Sequence, residues 1–198
     1  MLDNAEATAG GPFQFTDAMR ALMSDIVAVC DELRHIDMAR VAVSFSQARH
    51  SGLHGERAGV YPLRFEGGGR RKAMRGHVYE IPQVILNGRE MLYIVTFMLP
   101  RFLDLSFDEK MVTVVHELYH ISPRFDGDVR RFAGGKPYHT GSRRRYDAAM
   151  ARIAETYLAQ TTRPELHAFL RLDFSQLVAR YGSVVGLRLR RPTPYRVG

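Results

Sequence analysis

From Thr16 onward the apolar residues Met19, Leu22, Met23, Ile26, Cys30 and Leu33 recur every three or four positions, a spacing that gathers them on one side of a helix. Thr16 followed by Asp17 suits the N-cap, because a side-chain oxygen can accept from the free amides of the first turn. The period then shortens. Val41, Val43 and Phe45 alternate with Ala42, Ser44 and Ser46, which predicts a half-buried strand. A short strand is expected over 60–65, inside a Gly- and Arg-rich stretch at 50–76 that breaks at Gly67-Gly68-Gly69. Apolar runs at 78–86 and 91–99 flank Asn87-Gly88, the dipeptide that best accepts the positive dihedrals of a tight turn, and together they predict a β-hairpin. Pro82 has no amide proton, so the first arm belongs at a sheet edge or a bulge, whereas 91–99 is apolar enough for a sheet centre.

Helical spacing returns at Ser106-Phe107-Asp108-Glu109, a capping box, and the helix it opens should run to His120 or Ile121. Residues 122–141 hold Pro123, Gly127, Gly134, Gly135 and Pro137 and read as a long loop of functional type. Tyr146, Met150, Ile153 and Tyr157 then mark one face of another helix. A further helix is expected after Thr162, with Glu165 as its capping partner, and Val185, Leu187 and Leu189 suggest a last strand. The chain therefore divides into an arm at 1–15, a single α+β domain at 16–190 and a basic tail at 191–198, without internal repeats.

Composition narrows the class. The apolar fraction of 45% and charged fraction of 25% are those of an ordinary globular domain. The one cysteine, Cys30, has no internal disulfide partner and sits in the apolar stripe of the first helix, where a small buried thiol fits. The N-terminus lacks the basic flank and apolar stretch of a signal peptide, and no segment reaches membrane-spanning length, so the expected setting is cytoplasmic, with no membrane partner. The formal charge of +7 comes from clusters at Arg70-Arg71-Lys72, Arg130-Arg131, Arg143-Arg144-Arg145 and Arg188 to Arg196. They allow weak nucleic-acid association, although no aromatic-interleaved nucleic-acid motif accompanies them.

The chemistry concentrates in His116-Glu117-Leu118-Tyr119-His120. Residues four apart share a helix face, so both imidazoles can aim at one point with Glu117 beside it. Two neutral imidazoles suit zinc, and an adjacent carboxylate can take a proton from water and later return it. Val112, Val114, Val115 and Leu118 make this a buried helix, on which polar groups without partners would incur a large desolvation cost. A catalytic zinc site normally has three protein ligands and one open position. His139, at the end of the Gly/Pro-rich loop, is the expected third ligand. Glu155 is its rival, though it lies off the apolar face of its helix, and Asp126 and Asp128 fit capping or arginine-pairing roles better than ligation. Tyr138, Tyr146 and several arginines are candidates for stabilising an oxyanion.

The run from His116 through Asp128, then Arg131-Phe132, His139 and Tyr146, resembles the phage-type metallopeptidase family over about residues 106–158. That resemblance implies a zincin-like α+β fold, a small mixed or antiparallel sheet with an active-site helix and zinc on the two motif histidines. The His139-Thr140-Gly141 step before Tyr146 is also similar to the third-ligand region of SprT-like zincins, in which histidine and glycine are adjacent; here a threonine intervenes. SprT-like peptidases act on DNA-bound substrates, with which the basic clusters are compatible. The expected function is a zinc metallopeptidase acting on a peptide or protein. The rivals are a nucleic-acid-associated protein with structural zinc and a metal-dependent nuclease.

Overall fold

The structure is a computed structural model that describes residues 11–48, 55–132 and 143–197, with only the backbone of 143–145. In chain order the elements are β1 (Phe13–Gln14), α1 (Phe15–Val29), β2 (Val41–Gln47), β3 (Ala58–Pro62), β4 (Arg71–Met74), β5 (His77–Glu80), β6 (Ile85–Leu86), β7 (Arg89–Glu90), β8 (Tyr93–Leu99), α2 (Phe107–Tyr119), α3 (Arg143–Gln160), α4 (Phe174–Tyr181), β9 (Val184–Val185) and β10 (Tyr195–Val197). Helices and several small open sheets make an α+β fold. Among the described residues no helix is long and apolar enough to cross a membrane.

The central sheet has the order β2-β8-β3. β8 runs parallel to β2, from Val41↔Tyr93 to Gln47↔Leu99, and antiparallel to β3, from Ala58↔Phe97 to Pro62↔Tyr93. As expected, 91–99 supplies the sheet centre. Its alternate residues serve two apolar layers: Tyr93, Val95 and Phe97 pack with α1 and α2, while Ile94 joins Ala42, Leu63 and Met91 on the other side. Cover on both faces also explains why Val41 to Ser44 are all buried rather than alternately so.

The hairpin expectation needs correction. Asn87 (φ 50°) and Gly88 (φ 74°) do form the turn, but the strands paired across it are short, Ile85–Leu86 with Arg89–Glu90, and end with the Met91 amide on Val84 O at 2.8 Å. Residues 78–80 belong instead to a separate sheet of order β10-β5-β4, and the antiparallel neighbour of β8 is β3. Pro82 cannot donate to a continuing ladder, and β8 already engages β2 and β3 at its two edges.

Other boundaries shifted for local reasons. α1 begins at Phe15 with no side-chain cap, because the Thr16 hydroxyl accepts from the Leu187 amide at 3.0 Å. The helix expected after Thr162 is a 3-10 segment over Pro164–Arg171 with Arg163 at its N-cap, since Pro164 is preorganised for a first helical turn. The capping box in this region lies further on, between Asp173 and Gln176 at the start of α4. The last strand is short: Val184–Val185 pairs in parallel with β1. Beyond it the Phe45 amide donates to Leu187 O at 3.0 Å and the Leu189 amide to Ser44 Oγ at 2.9 Å. Within the basic C-terminal segment, Tyr195–Val197 pairs with β5.

Candidate active site

The capping box at the start of α2 forms as the sequence implied: Ser106 Oγ accepts from the Glu109 amide at 3.3 Å and Glu109 Oε2 accepts from the Ser106 amide at 3.0 Å. Met111, Val114, Val115 and Leu118 turn into the core, which fixes the rotation of the helix and leaves His116 half-buried on the opposite side. His120 is the C-cap residue, its amide bonded to His116 O at 3.2 Å.

The two imidazoles converge, with their Nε2 atoms 2.9 Å apart and ring centroids 4.6 Å apart. Nitrogens sharing one tetrahedral zinc at about 2.0–2.1 Å would stand roughly 3.3 Å apart, so small ring rotations would let both take the same ion. The pair fits a metal. Glu117, in the same turn, is 7% exposed; burial pushes its carboxyl up to about 8, opposed only in part by the Val60 amide that bonds it.

Tyr146 closes one side of the pair. Its ring centroid is 5.2 Å from that of His116, edge-on, and 6.2 Å from that of His120, nearly parallel, with Phe132 behind it at 6.0 Å. Burial raises its hydroxyl pKa, so it is a proton donor at neutral pH. Glu155, the rival ligand, is exposed on α3, off the buried face of Met150, Ile153 and Tyr157. His139 and Tyr138 lie outside the described residues. No group of three or more His, Cys, Asp or Glu positioned to hold one ion occurs among the described residues.

The chain after α2 is braced rather than left loose. Arg130 N donates to His120 O at 2.6 Å, and Ile121 and Val129 form an isolated bridge. Tyr93 Oη donates to Asp128 O at 2.8 Å and accepts from the Gly127 amide at 2.9 Å. Gly127 has a φ of +85°, and a Cβ there would meet Arg64 Cγ at 2.4 Å, so only glycine fits the turn. Asp128 accepts from the amides of Gly67 and Val129 and from Arg131 Nε at 2.9 Å, while Asp126 accepts from Arg124 Nε at 2.9 Å. Both aspartates therefore have the capping and arginine-pairing roles expected of them.

Two clefts, of about 650 and 610 Å³, meet at His116 and Glu117. The first is lined by Glu56, Arg57, Asp108, Glu109 and Asp147; the second by Tyr61, Arg64, Lys72, His120, Arg131 and Arg191. Strand β3, paired on one side only among the described residues, runs beside both. Sequence reasoning did not single out Glu56, Tyr61 or Arg191. Tyr61 carried only a strand signal and Arg191 only membership of a basic cluster, and nothing local marked Glu56.

A family model described as putative phage metallopeptidase matches residues 17–144. No curated protein and no solved structure matches the chain.

Proposed function

Because the chain belongs to the phage metallopeptidase family, whose members take a metal cofactor and peptide or protein substrates, we propose that it is a zinc-dependent peptidase with Glu117 as general base and His116, His120 and His139 as metal ligands. The observation that carries this reading is the convergence of the two Nε2 atoms, 2.9 Å apart, beside a buried carboxyl. Support for His139 comes from connectivity. Phe132 and Tyr146, described residues that precede and follow His139 in the chain, have ring centroids 6.0 Å apart beside the histidine pair.

When bound, zinc supplies Lewis-acid polarisation of the carbonyl and lowers the pKa of water. The remaining chemistry belongs to the chain. Glu117, buried beside the two histidines, in its carboxylate form takes a proton from the attacking water and passes it to the leaving amine. Tyr146, protonated and with its ring beside both histidines, donates to the oxygen that gains charge. An extended peptide can add to the edge of β3 that is unpaired among the described residues, through main-chain hydrogen bonds. Among the described residues the sheet edge beside the groove is thus β3, not the 78–86 arm expected at a sheet edge.

The test is metal analysis of purified protein together with cleavage of casein, labelled RNA and labelled DNA. The expected result is one zinc per chain and proteolysis alone, with Glu117→Gln retaining zinc and losing about 10²- to 10⁴-fold in rate. Cleavage of nucleic acid instead would favour the nuclease reading, and salt-sensitive DNA binding without any cleavage would favour a structural zinc.

A further inference from the structure

The cations of the second cleft are mostly spoken for. Arg64 pairs with Glu90 at 2.6 Å, Lys72 with Glu66 at 3.8 Å, and Arg131 with Asp128 at 2.9 Å. Arg191 differs. It is exposed, lines the same cleft as His116, Glu117 and His120, and makes no ion pair among the described residues. Its guanidinium lies over the Tyr61 ring, 5.3 Å from the centroid. Stacking on an aromatic face restrains the guanidinium plane while leaving its donors free, the presentation that suits bidentate capture of a carboxylate.

The backbone that carries Arg191 is held on both sides. Before it, Leu187 and Leu189 are bonded to β2, and Leu189, like Tyr61, packs against the smaller apolar cluster. After it come Pro192 and Pro194, which fix their own dihedrals, and then the pairing of β10 with β5. This strap lies beyond residues 17–144, so it is an element of this chain that the family match does not cover.

The first cleft has the opposite character: Glu56, Asp108 and Glu109 face Arg57, which stands 4.0 Å from Glu109. A carboxylate entering there meets like charge. Glu56 also borders the second cleft, where Tyr61 Oη donates to it at 3.5 Å, but it makes no ion pair with Arg191 among the described residues. We infer that Arg191 is a specificity residue that binds a carboxylate of the substrate on the His120 side of the groove, a reading that rests on the groove being a peptidase site. The carboxylate is an acidic side chain or the free C-terminus of the peptide.

The test uses fluorescent peptides scanned with Glu, Gln or Lys at each position, each with a free or amidated C-terminus. Binding is read by anisotropy to the zinc-loaded Glu117→Gln chain, and cleavage by the wild type is read separately. The carboxylate-bearing peptide should bind about five- to tenfold more tightly at low salt, with the gap narrowing as salt rises. Arg191→Gln should abolish the preference, Arg191→Glu should turn it towards Lys, and Arg190→Gln, altering the neighbouring cation, should leave it intact. A preference that follows the Glu position identifies a side chain; one that follows amidation identifies the terminus. Absence of any preference in the parent, or its survival in Arg191→Gln, overturns the assignment. If the wild type cleaves no peptide, the peptidase reading fails while the anisotropy still decides carboxylate binding.

Discussion

Glu117 and Asp128 are both buried acids near the groove, yet their surroundings move them in opposite directions. Burial raises Glu117 with little to oppose it, whereas at Asp128 burial is outweighed by Arg131 and the amides of Gly67 and Val129, and the carboxyl is held below its ordinary value. A depressed folded-state pKa contributes stability that is present above the unfolded value, 3.8, and is lost as pH falls through the folded one. Asp128→Asn should therefore lower stability at pH 7 by about 1–3 kcal/mol and flatten the loss of stability below pH 4, measured by denaturant unfolding across pH. At the proposed metal site, His116→Ala, His120→Ala and His139→Ala should each abolish stoichiometric zinc, whereas Glu155→Ala should retain it. Retention of zinc in His139→Ala and its loss in Glu155→Ala would exchange their roles. Tyr146→Phe removes the proposed oxyanion donor but keeps the ring beside the histidines, so kcat should fall with zinc content unchanged.

At the scale of the element, α2 is held by features of different visibility. Its capping box is local: Ser106 and Glu109 are three residues apart, and their reciprocal bonds could be read directly from the sequence. Ser106→Ala should cost about 1 kcal/mol, seen as a lowered Tm with zinc content unchanged. Lys110 is not local. It is 1% exposed and donates to Leu170 O at 2.9 Å and Leu172 O at 2.8 Å, which ties α2 to the end of the 164–171 turn. Nothing in the sequence distinguishes it from a solvated lysine in a first helical turn. Lys110→Ala should leave buried acceptors unsatisfied and cost about 2–4 kcal/mol, more than the loss of the cap.

Across the whole molecule, the family-matched stretch at 17–144 contains α2 but only part of the core that supports it. Met150, Ile153, Tyr157, Leu170 and Leu177 are each at most 4% exposed within the same apolar cluster as α1 and α2. Tyr157 Oη donates to Asp25 at 2.9 Å and Thr161 Oγ1 to the same carboxylate at 2.8 Å, binding the end of α3 to α1. A chain cut after residue 144 should show helix by far-UV circular dichroism but no cooperative unfolding transition, whereas the full chain should unfold cooperatively.

By itself the sequence determined whatever depends on near neighbours: the period of α1, β2 and α3, the cap of α2, the turn at Asn87-Gly88 and the i, i+4 meeting of His116 and His120. These follow because helix and turn geometry set contacts three or four residues apart before any packing occurs. Only the tertiary structure decided that β8 pairs with β2 and β3, that 78–80 pairs with 71–74 and 195–197, and that Glu56, Tyr61 and Arg191 border the histidines. Strand partners are chosen by competition among faces and edges distant in the chain, and a groove residue carries no local signal because its role comes from what lies across the gap.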